Sequence, residues 1–165
     1  MQASDVVAAS SIMIAVLALA VSVYQSVLAR QHNRQSVRPV LQLQTRFRPG
    51  GKAGLRLVNV GLGPAVITSS VVSVDGQELG DYNEEASNLI RGSVRPRPSA
   101  VTFESGAILA TDYDEFLLSV DEYDPACDWH AGLVRLLREQ MKLEIRYTSL
   151  YSEEAWTVCW PGRRP

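Results

Sequence analysis

The chain opens on one long apolar stretch and then changes its period. Residues 6–29 carry no charge at all. A helix of that length measures about 36 Å at 1.5 Å per residue, against about 30 Å for the hydrocarbon core of a bilayer. A helix apolar on every face has no natural place inside so small a β domain, and a spanning segment must be helical because lipid offers its backbone no partners. The pattern predicts a transmembrane helix over 6–29, with Tyr24 and Gln25 near its C-terminal interface. The polar run Arg-Gln-His-Asn-Arg-Gln-Ser-Val-Arg prolongs it as a stalk, and Pro39 ends it, since proline disfavours helical geometry at the preceding residue. A cleaved signal peptide fits poorly, because the leader Met-Gln-Ala-Ser-Asp has no basic residue and the apolar run is too long.

After Pro39 the period becomes two. In 40–48, Leu41, Leu43, Thr45 and Phe47 alternate with Gln42, Gln44, Arg46 and Arg48, as in a half-buried strand. Pro49-Gly50-Gly51-Lys52 reads as a turn, and 54–60 as a second strand with Leu55 and Leu57 inward. Gly61-Leu62-Gly63-Pro64 breaks it, as a tight turn in which glycine permits positive φ and Asn59 bonds locally. Residues 65–74 form a β-branched run closed by the hairpin signal Asp75-Gly76.

The rest is less regular. Residues 81–91 suit a short helix or a loop, Arg95-Pro96-Arg97-Pro98 an extended exposed segment, 100–103 a short strand and 115–120 a clearer one. Asp128 is placed to cap a helix whose apolar positions are Trp129, Leu133, Leu136, Leu137 and Met141. Residues 143–147 and 155–160 are strands, joined around Tyr151-Ser152-Glu153-Glu154. About seven strands with one amphipathic helix predict a mainly β fold, an antiparallel immunoglobulin-like sandwich. The expected division is an anchor and stalk over 1–38 and a β domain over 39–165.

Charge adds an orientation. The 165 residues sum to a net charge of -2, yet 30–74 holds seven basic residues and no Asp or Glu. Arg30, Arg34 and Arg38 flank the apolar helix on its C-terminal side only, and basic flanks stay cytoplasmic. The expected topology is single-pass in the cell inner membrane, N-terminus outside and β domain in the cytoplasm. The same arginines meet anionic lipid heads at about 1 kcal/mol each. Within the helix, Ser11, Ala15, Ala18, Ser22 and Ala29 fall near one stripe of small residues, which suits self-association into a homo-oligomer, although Ala and Ser are common in such helices. The only two cysteines, Cys127 and Cys159, are too few for a disulfide framework.

The search for chemistry yields no strong motif. Gly61-Leu62-Gly63-Pro64 lacks the remaining glycine or lysine of a phosphate loop and precedes a strand. The acidic residues Asp112, Asp114, Glu115, Asp121, Glu122, Asp124 and Asp128 do not follow a calcium-loop spacing and read as solvated loop ends. Cys127 and His130 supply two zinc ligands where a structural site needs four, and Cys159 reads as a small core side chain. No nucleophile elbow is present, and His130 is the one histidine within the β domain. Trp156 and Trp160 share a strand face, for which core packing is the default over a ligand platform. The expectation is no catalytic residues, no metal, no cofactor and no nucleic acid.

Three segments, HNRQSVRP, LRLVNVGLGPAVI and LEIRYTSLYSEEAWTV, resemble uncharacterised bacterial single-pass membrane proteins with a cytoplasmic immunoglobulin-like β-sandwich. The resemblance touches the stalk, the second and third strands and the last hairpin. It implies an anchor-plus-sandwich plan and no activity, and Ser152 stands where a glycine is expected. The function expected is a non-enzymatic, membrane-anchored interaction or scaffold domain at the inner leaflet, with the bilayer and an unidentified protein as partners. The rival is a ligand-gated membrane effector of the bacterial defence type, which oligomerises through Ser11, Ala15, Ala18 and Ser22.

Overall fold

The computed structural model describes residues 3–95 and 97–161, with the side chains of 3–10, 29–36, 129, 152 and 153 left aside. The chain divides into two compact units, Met1–Ser36 and Val37–Pro165.

The first unit is a single helix, α1 (Ala3–Ser36), running without interruption through the apolar segment and the polar stalk. It is long and apolar enough to cross a membrane, and Ser11–Leu28 is exposed throughout.

The second unit is built from two antiparallel sheets. One has the order β1 (Leu41–Arg46), β2 (Ala53–Asn59), β7 (Asp114–Val120), β5 (Ser99–Ala100). The other has the order β4 (Gln77–Asp81), β3 (Ala65–Val74), β8 (Met141–Ser149), β9 (Ser152–Trp160), and β6 (Ile108–Leu109) pairs with the N-terminal end of β3. The period-two pattern decides which side chains face inward. In β8, Met141, Leu143, Ile145 and Tyr147 are buried while Lys142 and Arg146 are exposed. They join Leu55 and Leu57 of β2, Ile67 of β3 and Leu118 of β7 in one core. Each such aliphatic side chain contributes roughly 1.5–3 kcal/mol through burial.

Two tyrosines join elements of different sheets through their hydroxyls. Tyr82, fully buried just after β4, donates to the Leu117 carbonyl of β7 at 2.8 Å. Tyr147 of β8 accepts from the Leu41 N–H of β1 at 3.2 Å.

Several expectations change. Residues 81–91 resolve into α2 (Glu84–Gly92), which Asn83 caps by accepting from the Ala86 N–H at 3.0 Å. Arg95-Pro96-Arg97-Pro98 is held against α2 at two points: Arg97 donates to Asn88 and Arg91 to the Pro98 carbonyl. Pro98 is buried, while Pro96 lies outside the described residues. Asp128 does not cap α3 (Asp128–Arg135); Cys127 stands at that position without a side-chain cap bond. The predicted helical pattern also overreaches, because Leu136 and Leu137 lie in a π turn (Leu136–Gln140) and Met141 opens β8. All three are buried, which shows why spacing alone misplaced them: the period persists while the backbone changes. The last hairpin turns at Leu150 and Tyr151, with Ser149 paired to Ser152, so Ser152 begins a strand and no glycine is called for there.

Candidate functional site

The most developed local arrangement lies where the second unit begins, here termed the Pro39 end. Asn59, at the close of β2, is 3% exposed and makes four side-chain hydrogen bonds. Its Oδ1 accepts from the N–H groups of Val40 and Gly61, at 3.2 and 3.1 Å. Its Nδ2 donates to the carbonyls of Gly63 and Ala110, at 2.9 and 2.8 Å. A buried amide with both polar atoms satisfied holds three segments together: 37–40, 59–64 and the stretch after β6.

The backbone completes the clamp. Val60 N–H donates to the Val40 carbonyl at 2.9 Å and Leu62 N–H to the Arg38 carbonyl at 3.1 Å. Gly61 and Gly63 serve this contact through size. Neither has positive φ, contrary to expectation. A Cβ on Gly61 would overlap the Val40 nitrogen and the Arg38 carbonyl, and one on Gly63 the Val37 carbonyl. The Gly-Leu-Gly-Pro motif therefore permits close approach of one backbone to another.

Arg38 belongs to this end as well. Its guanidinium lies over the Trp156 ring, 4.9 Å from the centroid, and Trp156 packs on Tyr147 with centroids 5.9 Å apart. Arg30 and Arg34 lie in the last turns of α1, and their side chains are outside the described set. Ser11, Ala15, Ala18 and Ser22 fall on one stripe of the continuous helix, as the spacing of four, three and four requires.

The same end carries exposed apolar tips. Leu62 is 74% exposed, Ile108 60%, Tyr151 54%, Leu150 52% and Val60 51%. They come together because β3 begins here: Ala65 pairs with Ser149 on one side and Leu109 on the other, and Leu41 pairs with Asn59. Sequence reading passed over them. The available signal was the presence of Leu62, Leu150 and Tyr151 in turns, where polar residues are the rule.

The other sequence candidates resolve into structural roles. Asp114 pairs with Arg56 at 2.7 Å. His130 Nδ1 accepts from the Asp124 N–H at 2.9 Å, and its ring lies against Tyr123, which occupies it as a loop brace. Among the described residues no three His, Cys, Asp or Glu side chains converge as a metal site would require. Cys159 is exposed, which corrects the core assignment, and Cys127 and Cys159 are both free. Trp160 donates from Nε1 to the Leu137 carbonyl at 2.7 Å and packs with Trp156 against the core; the side chain of Trp129 is outside the described set. Burial pushes the Tyr82 hydroxyl well above the usual tyrosine range, an effect that Arg91 only partly offsets. Tyr113 is also raised, first by burial and then by Glu115. Both shifts favour a neutral phenol, which suits packing rather than proton transfer. Compared with known proteins, the chain matches no family model, no curated protein and no solved structure.

Proposed function

We propose that the chain is a single-pass membrane protein whose second unit is an immunoglobulin-like sandwich, a non-enzymatic interaction domain held at the cytoplasmic face of the inner membrane. The strand orders support the fold assignment. β1-β2-β7-β5 corresponds to the A-B-E-D sheet of that fold, and β4-β3-β8-β9 to C′-C-F-G. The departures are the absence of cysteine from β2 and β8 and of tryptophan from β3.

The observation that carries the function is the junction. α1 ends at Ser36, and the Arg38 carbonyl is already bonded to Leu62. Val37 alone separates the end of the helix from the first clamped residue, so the tether between them is short. If the span ends near Leu28, the stalk rises about 12 Å, and the headgroup layer takes up roughly half of that. Leu and Tyr side chains, such as those exposed at the Pro39 end, are at home in the interfacial layer. Such a tether concentrates the domain near membrane-bound partners.

The reading is tested with full-length protein carrying a C-terminal reporter. A green-fluorescent fusion is expected to shine in a carbonate-resistant membrane fraction, while an alkaline-phosphatase fusion stays inactive. Recovery in the soluble fraction, or an active phosphatase, overturns it. A specific membrane protein is expected to copurify, and its loss on Leu62→Asp with unchanged expression would place the contact at the Pro39 end.

A further inference from the structure

The opposite end of the second unit, the Pro49 end, holds a depression of about 450 Å³ between the β1–β2 turn and β7. Arg46, Arg48 and Lys52 line it together with Phe116 and the turn residues 49–51, and no carboxylate is among the lining residues. Arg56 lies alongside in the register, opposite Phe116, but is paired with Asp114. Arg46, Arg48 and Lys52 form no ion pair among the described residues. We infer that this depression is a binding site for a phosphorylated small molecule of the nucleotide class, with Arg46, Arg48 and Lys52 on its phosphates and Phe116 beneath its ring.

Two features of the site go beyond surplus charge. The turn is fixed: Gly50 N–H donates to the Tyr123 carbonyl at 2.8 Å, Tyr123 N–H to the Gly51 carbonyl at 3.0 Å, and Phe47 packs on the Tyr123 ring. Cations on a braced turn are positioned before the ligand arrives, so less ordering opposes binding. An aromatic floor is also present, with the Lys52 ammonium 5.5 Å from the Phe116 centroid. Guanidinium groups match phosphate oxygens in paired hydrogen bonds, and an aromatic face accepts a planar base.

Within the domain, these cations stand well apart from Arg38 at the Pro39 clamp. β1 separates the Pro39 clamp from the Pro49 turn by six residues, about 20 Å at 3.3 Å per residue. That exceeds the screening length of about 8 Å at physiological salt. Arg38 and the turn cations Arg46, Arg48 and Lys52, close in sequence, thus stand at opposite ends of the domain. This inference goes beyond the tether and does not depend on it.

The test uses the detergent-solubilised full chain, with ATP as the probe in equilibrium dialysis at physiological salt. Saturable binding is expected, weakened about tenfold or more in the double variant Arg46→Gln, Arg48→Gln. Both residues are exposed, so folding is retained, and a matched melting curve checks this. Phe116→Leu is expected to weaken ATP but not inorganic triphosphate. The control Arg135→Gln, on an exposed arginine outside the site, leaves binding unchanged. Absence of saturable binding, equal loss in the control, or indifference to the double variant overturns the inference. So does direct binding of inositol trisphosphate with no binding of ATP, which would assign the anion to a lipid headgroup.

Discussion

The guanidinium of Arg38 lies over the ring of Trp156, 4.9 Å from its centroid, and so joins the first residues of the second unit to its last strand. The contact continues inward. Trp156 is the cross-strand neighbour of Tyr147, whose hydroxyl accepts from the Leu41 N–H. A residue expected to serve as a membrane-flanking charge is thus also a packing residue of the domain. Its guanidinium rests on the aromatic face while the residue as a whole remains exposed.

The three flanking arginines therefore separate in their effects. Arg38→Gln is expected to cost about 0.5–1 kcal/mol of domain stability, the size of an exposed cation–π contact. Arg30→Gln and Arg34→Gln are expected to leave the melting temperature unchanged, and to weaken orientation in a reporter fusion when combined. Equal loss of stability in all three would remove the distinction.

The clamp at the Pro39 end makes a larger prediction. Asn59→Ala removes four hydrogen bonds from a buried position and leaves the Gly61 N–H and the Gly63 and Ala110 carbonyls short of partners. A loss of about 2–4 kcal/mol is expected in denaturant unfolding, at the upper range for single substitutions. Gly63→Ala is expected to cost about 1–3 kcal/mol by overpacking against the Val37 carbonyl. Both variants should make the chain near Val37 more sensitive to protease while β8 and β9 stay protected.

The clamp also shows where sequence reading stops. The helix through Ser36, the alternation in β1 and the inward Leu55 and Leu57 follow from local periodicity, because one repeat and one buried face suffice to define them. β6 is two residues long, and β5 is as short, so neither carries a period to read. Gly61 and Gly63 were visible, but their reason was not. Close approach to 37–40 depends on a contact across some twenty residues, whereas positive φ is a local property that sequence habit supplies first. The exposure of Cys159 has a similar origin. Its alternation with Trp160 is plain, but which face of β9 looks inward depends on the pairing with β8. The basic residues behave likewise: continuous in sequence, they are parted by the length of one strand.

Burial of Tyr82 makes a pH prediction whose sign is fixed. Its hydroxyl titrates above the ordinary value of 10.0 because burial disfavours the phenolate. In the unfolded chain it ionises near pH 10. The stabilisation is thus fully present below about pH 10 and falls as pH rises beyond it, since the unfolded state loses the proton more readily. Unfolding monitored between pH 8 and 11 should show that decline. Tyr82→Phe should cost about 1 kcal/mol at neutral pH by leaving the Leu117 carbonyl without its donor, and make the alkaline decline shallower. Tyr113, raised by burial and then by Glu115, acts in the same direction. An unchanged alkaline slope in Tyr82→Phe would place the effect elsewhere.

The small-residue stripe of α1 offers a decision between a passive tether and an assembling helix. In the continuous helix Ala15 and Ala18 stand on the same stripe, with Ser11 and Ser22 one turn out on either side. Small side chains allow two helices in lipid to approach closely, where packing and interhelical hydrogen bonds replace the hydrophobic force that lipid removes. Leucine at either alanine adds bulk to that face, keeps the span length and raises the hydropathy, so insertion is preserved. If the helix assembles, Ala15→Leu and Ala18→Leu should each abolish most of the signal in a transmembrane dimerisation reporter, while Val16→Leu, off the stripe, leaves it intact. If the helix is a tether alone, all three variants match the parent at a monomeric baseline. In that case any membrane protein that copurifies should persist unchanged in all three variants, because the proposed contact is with the β domain and not with the helix.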